Sequence, residues 1–163
     1  MRRAFRAALL ALALTGGGCV PELCPARVPV GIRSNNPSNI HGVRWWIWQG
    51  AVSTDGYHYL RFKSPYYGLR AMKIVLDAYY HRHGLNTVAG IRNRWVRRPT
   101  TARQVRLLRE DILLVSKLTG VWPNTPLDLD QPQVEIRLAK AIIYAENSRQ
   151  PYPDSLFRQV FGQ

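Results

Sequence analysis

The chain has few cysteines and few acids. Its 163 residues include only Cys19 and Cys24, so residues 31–163 fold without a disulfide and only a local Cys19–Cys24 link can form. That pair carries no zinc signal, because no further cysteine pair exists and the histidines lie far along the chain. Long apolar runs are also missing, and the stretch from Ala7 to Leu14 is far too short to span a bilayer. No GxSxG elbow, HExxH helix or phosphate-cradling glycine loop occurs, which argues against serine-hydrolase, zinc-protease and nucleotide chemistry. Ten acidic residues stand against 23 basic ones, so any chemistry that needs a carboxylate has few candidates.

With 46% apolar and 20% charged residues, the composition suits one modest globular domain. Arg2, Arg3 and Arg6, followed by the short apolar run, Thr15, three glycines and Cys19, have the layout of a bacterial export signal. The expected organisation is a signal peptide at 1–18, a proline-bearing tether at 19–30 and a folded domain at 31–163. Cys19 is a lipidation candidate, although Gly16 replaces the branched or leucine residue usual three positions before such a cysteine. The product is then periplasmic, anchored to the outer membrane by its lipid, or associated with a virion.

The net charge of +13 is spread along the chain and attracts polyanions. Nucleic acid is the less favoured partner, since no zinc finger, glycine-rich nucleic-acid loop or recognition helix is evident. The anionic bacterial wall fits the charge equally well, and the export signal tips the balance toward it.

The polar segment GIRSNNPSNI at 31–40 reads as a loop held by asparagine side chains. Trp45, Trp46 and Trp48 precede a short hairpin with Asp55-Gly56 at its bend, and Trp48 is a candidate sugar-stacking ring. Helices follow. Ser64-Pro65 opens one that runs to about Arg82, Thr87 caps another to Trp95, and a third spans Thr101 to Leu118 with Val105, Leu108, Ile112, Val115 and Leu118 as its buried stripe. Asp130 is the expected cap of a helix from about Gln131 to Glu146, and a last helix covers Asp154 to Phe161. His81 and His83, two residues apart, do not share a face as a metal pair would.

Ala141, Ile142, Ile143 and Ala145 lead directly into Glu146-Asn147-Ser148, placing one carboxyl at a helix end with apolar backing. Desolvation there would raise its pKa and let it act as the general acid of a sugar-cleaving enzyme. The plainer reading is a solvated glutamate in a last helical turn. Glu110 and Asp55 are the other plausible acids. Glu135 lies roughly 16 Å from Glu146 along one helix and cannot flank the same bond.

The ordered set GIRSNNPSNI, WQG, FKSPYYGLRAMKIVLDAYYHRHGLNTVAGIRNRW, TGV and AIIYAENSRQPY resembles a family of small phage and prophage proteins that carry the name of a virion structural protein. The similarity covers about residues 31 to 153. It implies a mainly α, lysozyme-like small α+β domain with a short N-terminal β-hairpin that acts on peptidoglycan and needs no cofactor or metal. The end of AIIYAENS is also similar to the catalytic-glutamate helix end of lytic transglycosylases. On that resemblance Glu146 is the catalytic acid, Asn147, Ser148 and Tyr152 lie on its side of a cleft, and Asn35, Asn36 and Asn39 face it.

Two departures qualify the resemblance. The family's Ala-Pro followed by Glu-Asn-x-Thr is VRRPTTARQVRLL here, which leaves Glu110 as the alternative acid. Its Glu-Asn-Gly is Glu-Asn-Ser here, which argues against a left-handed backbone at Ser148. The resulting expectation is a peptidoglycan glycan-strand lytic enzyme, a transglycosylase or muramidase. The alternative is a non-catalytic phage structural or wall-binding lipoprotein, with virion proteins among its partners.

Overall fold

A computed structural model describes residues 28–162, apart from Val43, Gly56, Tyr57 and Arg97. The expected signal peptide, Cys19 and most of the tether lie outside the described residues. The order is α1 (Val30–Arg33), a single 3-10 turn (Trp45–Ile47), β1 (Ala51–Thr54), β2 (Leu60–Phe62), α2 (Pro65–Asp77), α3 (Val88–Trp95), α4 (Ala102–Thr119), α5 (Pro132–Asn147) and α6 (Asp154–Phe161). The architecture is thus mainly helical with one small two-stranded antiparallel sheet.

The hairpin pairs Ala51 with Phe62, Ser53 with Arg61 and Thr54 with Leu60, with an irregularity between Ala51 and Ser53. At its bend Asp55 Oδ1 accepts the Tyr59 amide at 2.9 Å, and His58 takes a positive φ of 65°. Gly56 itself lies outside the described residues. Leu60 and Phe62 point into a small core with Ile40 and Ala71, which ties the sheet to α2 and to the 31–40 loop.

The helices form where local signals place them. Pro65 starts α2, whose Leu69, Met72 and Leu76 are fully buried, and a π-helical turn (Ala78–Arg82) continues it. In α4, Thr101 and Gln104 make a reciprocal capping box, and Gly120 closes the other end at φ 73°. The main core is assembled around α5. Leu138, Ile142 and Ile143 meet Leu69, Met72 and Leu76 of α2, Val88 and Ile91 of α3, Val115 of α4, and Phe157 and Phe161 of α6. Full burial of side chains of this size contributes about 1.5–3 kcal/mol each.

Three local expectations are corrected. The expected cap Asp130 does not cap α5. Asp128 accepts the Asp130 amide and the Gln131 side chain, both at 3.1 Å, and Pro132 begins the helix. The helix also runs one residue further than expected, to Asn147. The stripe of α4 is rotated: Leu108 and Val115 are buried with Ser116 and Thr119, whereas Val105 and Leu118 are exposed. Successive residues turn by about 100°, so a face centred between Val115 and Thr119 leaves Leu118 on its flank. Val105 stands in the first turn, beside exposed neighbours.

Glu135 of α5 is buried, with Lys73 Nζ at 3.5 Å and Oε1 unpartnered. Burial, only partly countered by Lys73 and reinforced by Asp77, raises its pKa to about 7. The folded protein therefore holds a proton that the unfolded chain releases near pH 4.5, so this group's contribution is lost as pH rises from about 4.5 through 7. Urea denaturation at pH 5 and pH 8 should show the wild type losing on the order of 2 kcal/mol relative to Glu135→Gln between those values. Parallel pH dependence in the two proteins would rule out the buried proton.

Candidate functional site

The 31–40 loop is folded by its own asparagines. Asn36 is buried, accepts the Ile40 amide and donates to the carbonyls of Ile40 and Leu60, all at 2.9 Å, so that it closes the loop and pins it to β2. Asn35 donates to the Phe62 carbonyl at 3.0 Å. Asn35 and Asn39 both hold left-handed backbone, at φ 54° and 52°, which asparagine tolerates better than most residues. Helix α2 rests directly on this loop, because a Cβ at Gly68 would lie 1.9 Å from the Asn35 carbonyl oxygen.

From the other side, the end of α5 clamps the loop. Asn147 is buried and donates to the Pro37 carbonyl at 2.6 Å and the Ile143 carbonyl at 3.0 Å. Gly31 permits that approach, since a Cβ there would lie 2.6 Å from Asn147 Oδ1 and 2.7 Å from Asn39 Oδ1. Ser148 follows in the left-handed region at φ 55°. The expectation against such a backbone is thereby corrected: the helix terminates through a left-handed residue without glycine, at a cost of roughly 1–2 kcal/mol.

Glu146 sits between these clamps. Its Oε2 accepts from Asn39 Nδ2 at 3.0 Å and its Oε1 from Arg92 Nη2 at 2.8 Å. Arg92 is 2% exposed and also grips Asp111 of α4 through Nε at 2.7 Å and Nη2 at 3.0 Å. Although burial works against its charge, the hydrogen bond to Asp111 and the charge of Glu146 hold its pKa above the ordinary value. A carboxylate in the last turn of a helix faces the negative end of the helix dipole, and Arg92 offsets that repulsion. One guanidinium thus joins α3, α4 and α5, and Glu146 passes the connection to the loop.

Two cavities, of about 550 and 660 Å³, share Asn39, Tyr59 and Glu146 and form the two arms of an open cleft. Arg33, Asp55 and Arg61 line the first. His41, Arg94 and Trp95 line the second. Trp95 is set by its Nε1, which donates to the Ser38 carbonyl at 3.2 Å, and by edge-to-face packing on Tyr79 at 5.9 Å. His41 packs edge-to-face on Tyr59 at 5.3 Å.

Of the residues singled out in the sequence, Asn39, Asp55, Glu146 and Asn147 come together at the cleft. Asn35 and Asn36 lie behind it, with their amides engaged in holding the loop. Trp48 packs against the small core beside the hairpin. Tyr152 is buried, and its surroundings push its pKa up to about 12. Ser148 is exposed at the end of α5. Glu110 lies on the exposed side of α4, 3.8 Å from Arg106, and borders neither arm of the cleft. Arg92, Asp111, His41, Tyr59, Arg94 and Trp95 were not singled out for the site. For Arg92 a signal existed, since it falls on the same helical face as Val88, Ile91 and Trp95.

Over 130 residues the chain is 31% identical to protein P5 of Pseudoalteromonas phage PM2, covering 75% of this chain and 73% of that protein. The chain belongs to the family of this phage protein. No family model matches it. Membership in the phage P5 family places the described fold in a phage lineage, and among its described residues no helix is long and apolar enough to cross a membrane.

Two stability tests follow from this geometry. Arg92→Met leaves Asp111 and Glu146 uncompensated and should cost about 3–5 kcal/mol in chemical denaturation. Adding Glu146→Gln to that variant should cost much less than Glu146→Gln alone, and strictly additive losses would mean that the pair is uncoupled. Ser148→Gly should raise stability by about 1 kcal/mol by relieving the left-handed serine. A lower midpoint for that variant would contradict the assigned backbone.

Proposed function

We propose that this P5-family protein is a virion-associated or exported binder of bacterial wall glycan, which it holds in the cleft beside Glu146 without cutting it. The observation that carries this reading is that both oxygens of Glu146 already accept hydrogen bonds, from Arg92 and Asn39. A general acid must present a proton to the glycosidic oxygen. Glu146 instead accepts from both partners and serves as a latch.

The cleft suits an anionic, hydroxyl-rich polymer. Trp95 and Tyr59 offer ring surface, Asn39 offers an amide, and Arg33, Arg61 and Arg94 offer charge for carboxylates. In this proposal Asn35, Asn36 and Asn147 shape the wall, while Trp48, Ser148 and Tyr152 line neither arm. Export, the domain limits 1–18, 19–30 and 31–163, and lipid attachment through Cys19 belong to the proposal on sequence pattern alone. Virion proteins are further proposed partners, supported by the phage relative.

A second reading is a lysozyme-like lytic enzyme with Glu146 as its acid. It is favoured by one feature: Glu146 is 18% exposed where the two arms meet, and Asp55 lines the same cavity as a second carboxylate. Ligand binding would then have to displace Arg92 or Asn39 from Glu146.

Residues 25–163 and the Glu146→Gln variant, each incubated with purified peptidoglycan, separate the two readings. Binding predicts saturable, salt-sensitive retention by sedimentation, no soluble muropeptides by mass spectrometry, and at least tenfold weaker retention for Trp95→Ala with Arg94→Ala, from about 1.4 kcal/mol or more of lost contact. Soluble products from the wild type alone would establish the lytic reading. Anhydro ends would mark transglycosylation and hydrated ends hydrolysis.

A further inference from the structure

Helix α4 carries an exposed apolar strip along the flank of its buried face. Leu107, Leu114 and Leu118 recur at intervals of seven and four residues, which places them on one face, and they are 49%, 37% and 42% exposed. Just beyond the helix Trp122 is 82% exposed, the most open of the large apolar side chains described. The strip is bordered by Arg103, Arg106 and Lys117, all exposed. Two acids adjoin the strip, and both are paired: Glu110 lies 3.8 Å from Arg106, and Asp111 accepts from Arg92 at 2.7 Å.

We propose that this face of α4, with Trp122 at its end, docks on the surface of an anionic lipid bilayer. The flanking charge selects that occupant. A second copy would bring the same cations, from a chain of net charge +13, against themselves. An anionic headgroup layer attracts them, while the leucines and the indole enter the boundary between headgroups and acyl chains. The arrangement is that of a helix lying on a membrane. Asp111 falls on the same side of α4, between Leu107 and Leu114 in helical spacing, and its carboxylate is held by Arg92.

Trp122 supplies the test. The full chain is mixed with phosphatidylglycerol vesicles brominated on their acyl chains, and with brominated phosphatidylcholine vesicles as the neutral case. Subtracting the signal of Trp122→Phe isolates this indole from the other four tryptophans and from any contribution of residues 1–27. The docking face predicts that Trp122 loses most of its emission with phosphatidylglycerol and little with phosphatidylcholine. It also predicts that Leu114→Ser with Leu118→Ser raises the lipid needed for half-quenching by about tenfold. Ile74→Ser, another exposed apolar position, on α2, should change nothing. Equal quenching of wild type and Trp122→Phe would overturn the proposal. So would a sedimentation change from dimer to monomer in the leucine variant with quenching unaltered, which would make the strip a self-association surface.

Discussion

The buried guanidinium of Arg92 is the constraint on which the cleft depends. Taking it out of water costs several kcal/mol before any partner is counted, and the geometry returns that cost only because Asp111 and Glu146 accept from it at 2.7–3.0 Å. Apolar packing alone would let α3, α4 and α5 slide over one another by small amounts. An ion triad with directional bonds allows one arrangement, and Glu146 extends it through Asn39 to a loop distant in sequence.

That loop shows how a polar segment is made rigid without a disulfide. Asn36 supplies both donor and acceptor to the backbone around it, Asn35 reaches the hairpin, and Asn147 reaches Pro37 from the end of α5. Each bond contributes only about 1 kcal/mol, but the amides are buried or half-buried, and removing one leaves unpaired partners at greater cost. Close contacts at Gly31 and Gly68 show how tightly α5 and α2 press on the same ten residues. The cleft is therefore a gap between rigid walls, and a ligand entering it need not order the loop.

Much of the fold was legible because its signals are local. The helix starts at Pro65, Thr87 and Thr101 and the extent of α6 are where proline, capping threonines and spacing place them. The end of α5 was harder to read, since a left-handed serine depends on tertiary support that no neighbouring residue announces. The face of α4 was misread because leucine spacing fits several overlapping stripes, and the choice among them depends on Asp111 meeting Arg92 nineteen residues earlier. In the site, Glu146 was legible as a lone acid behind apolar residues, but its partners were not. Desolvation was the visible cue. The opposing guanidinium comes from another helix, where Arg92 is one arginine among many.

The placement of charge explains why a strongly basic chain has an acid at the centre of its cleft. Glu146 lies where the two arms meet, while Arg33 and Arg61, with Asp55, line one arm and Arg94 lines the other. A uniformly anionic strand, such as a nucleic acid backbone, presents charge at every step and meets repulsion at Glu146. A polymer with carboxylates spaced between neutral, hydroxyl-bearing units meets cations at its charges and acceptors at its hydroxyls. In the proposed role as a wall-glycan binder, the latch that holds the cleft together would also select among polyanions, which ties the structural role of Glu146 to recognition without requiring it to donate a proton.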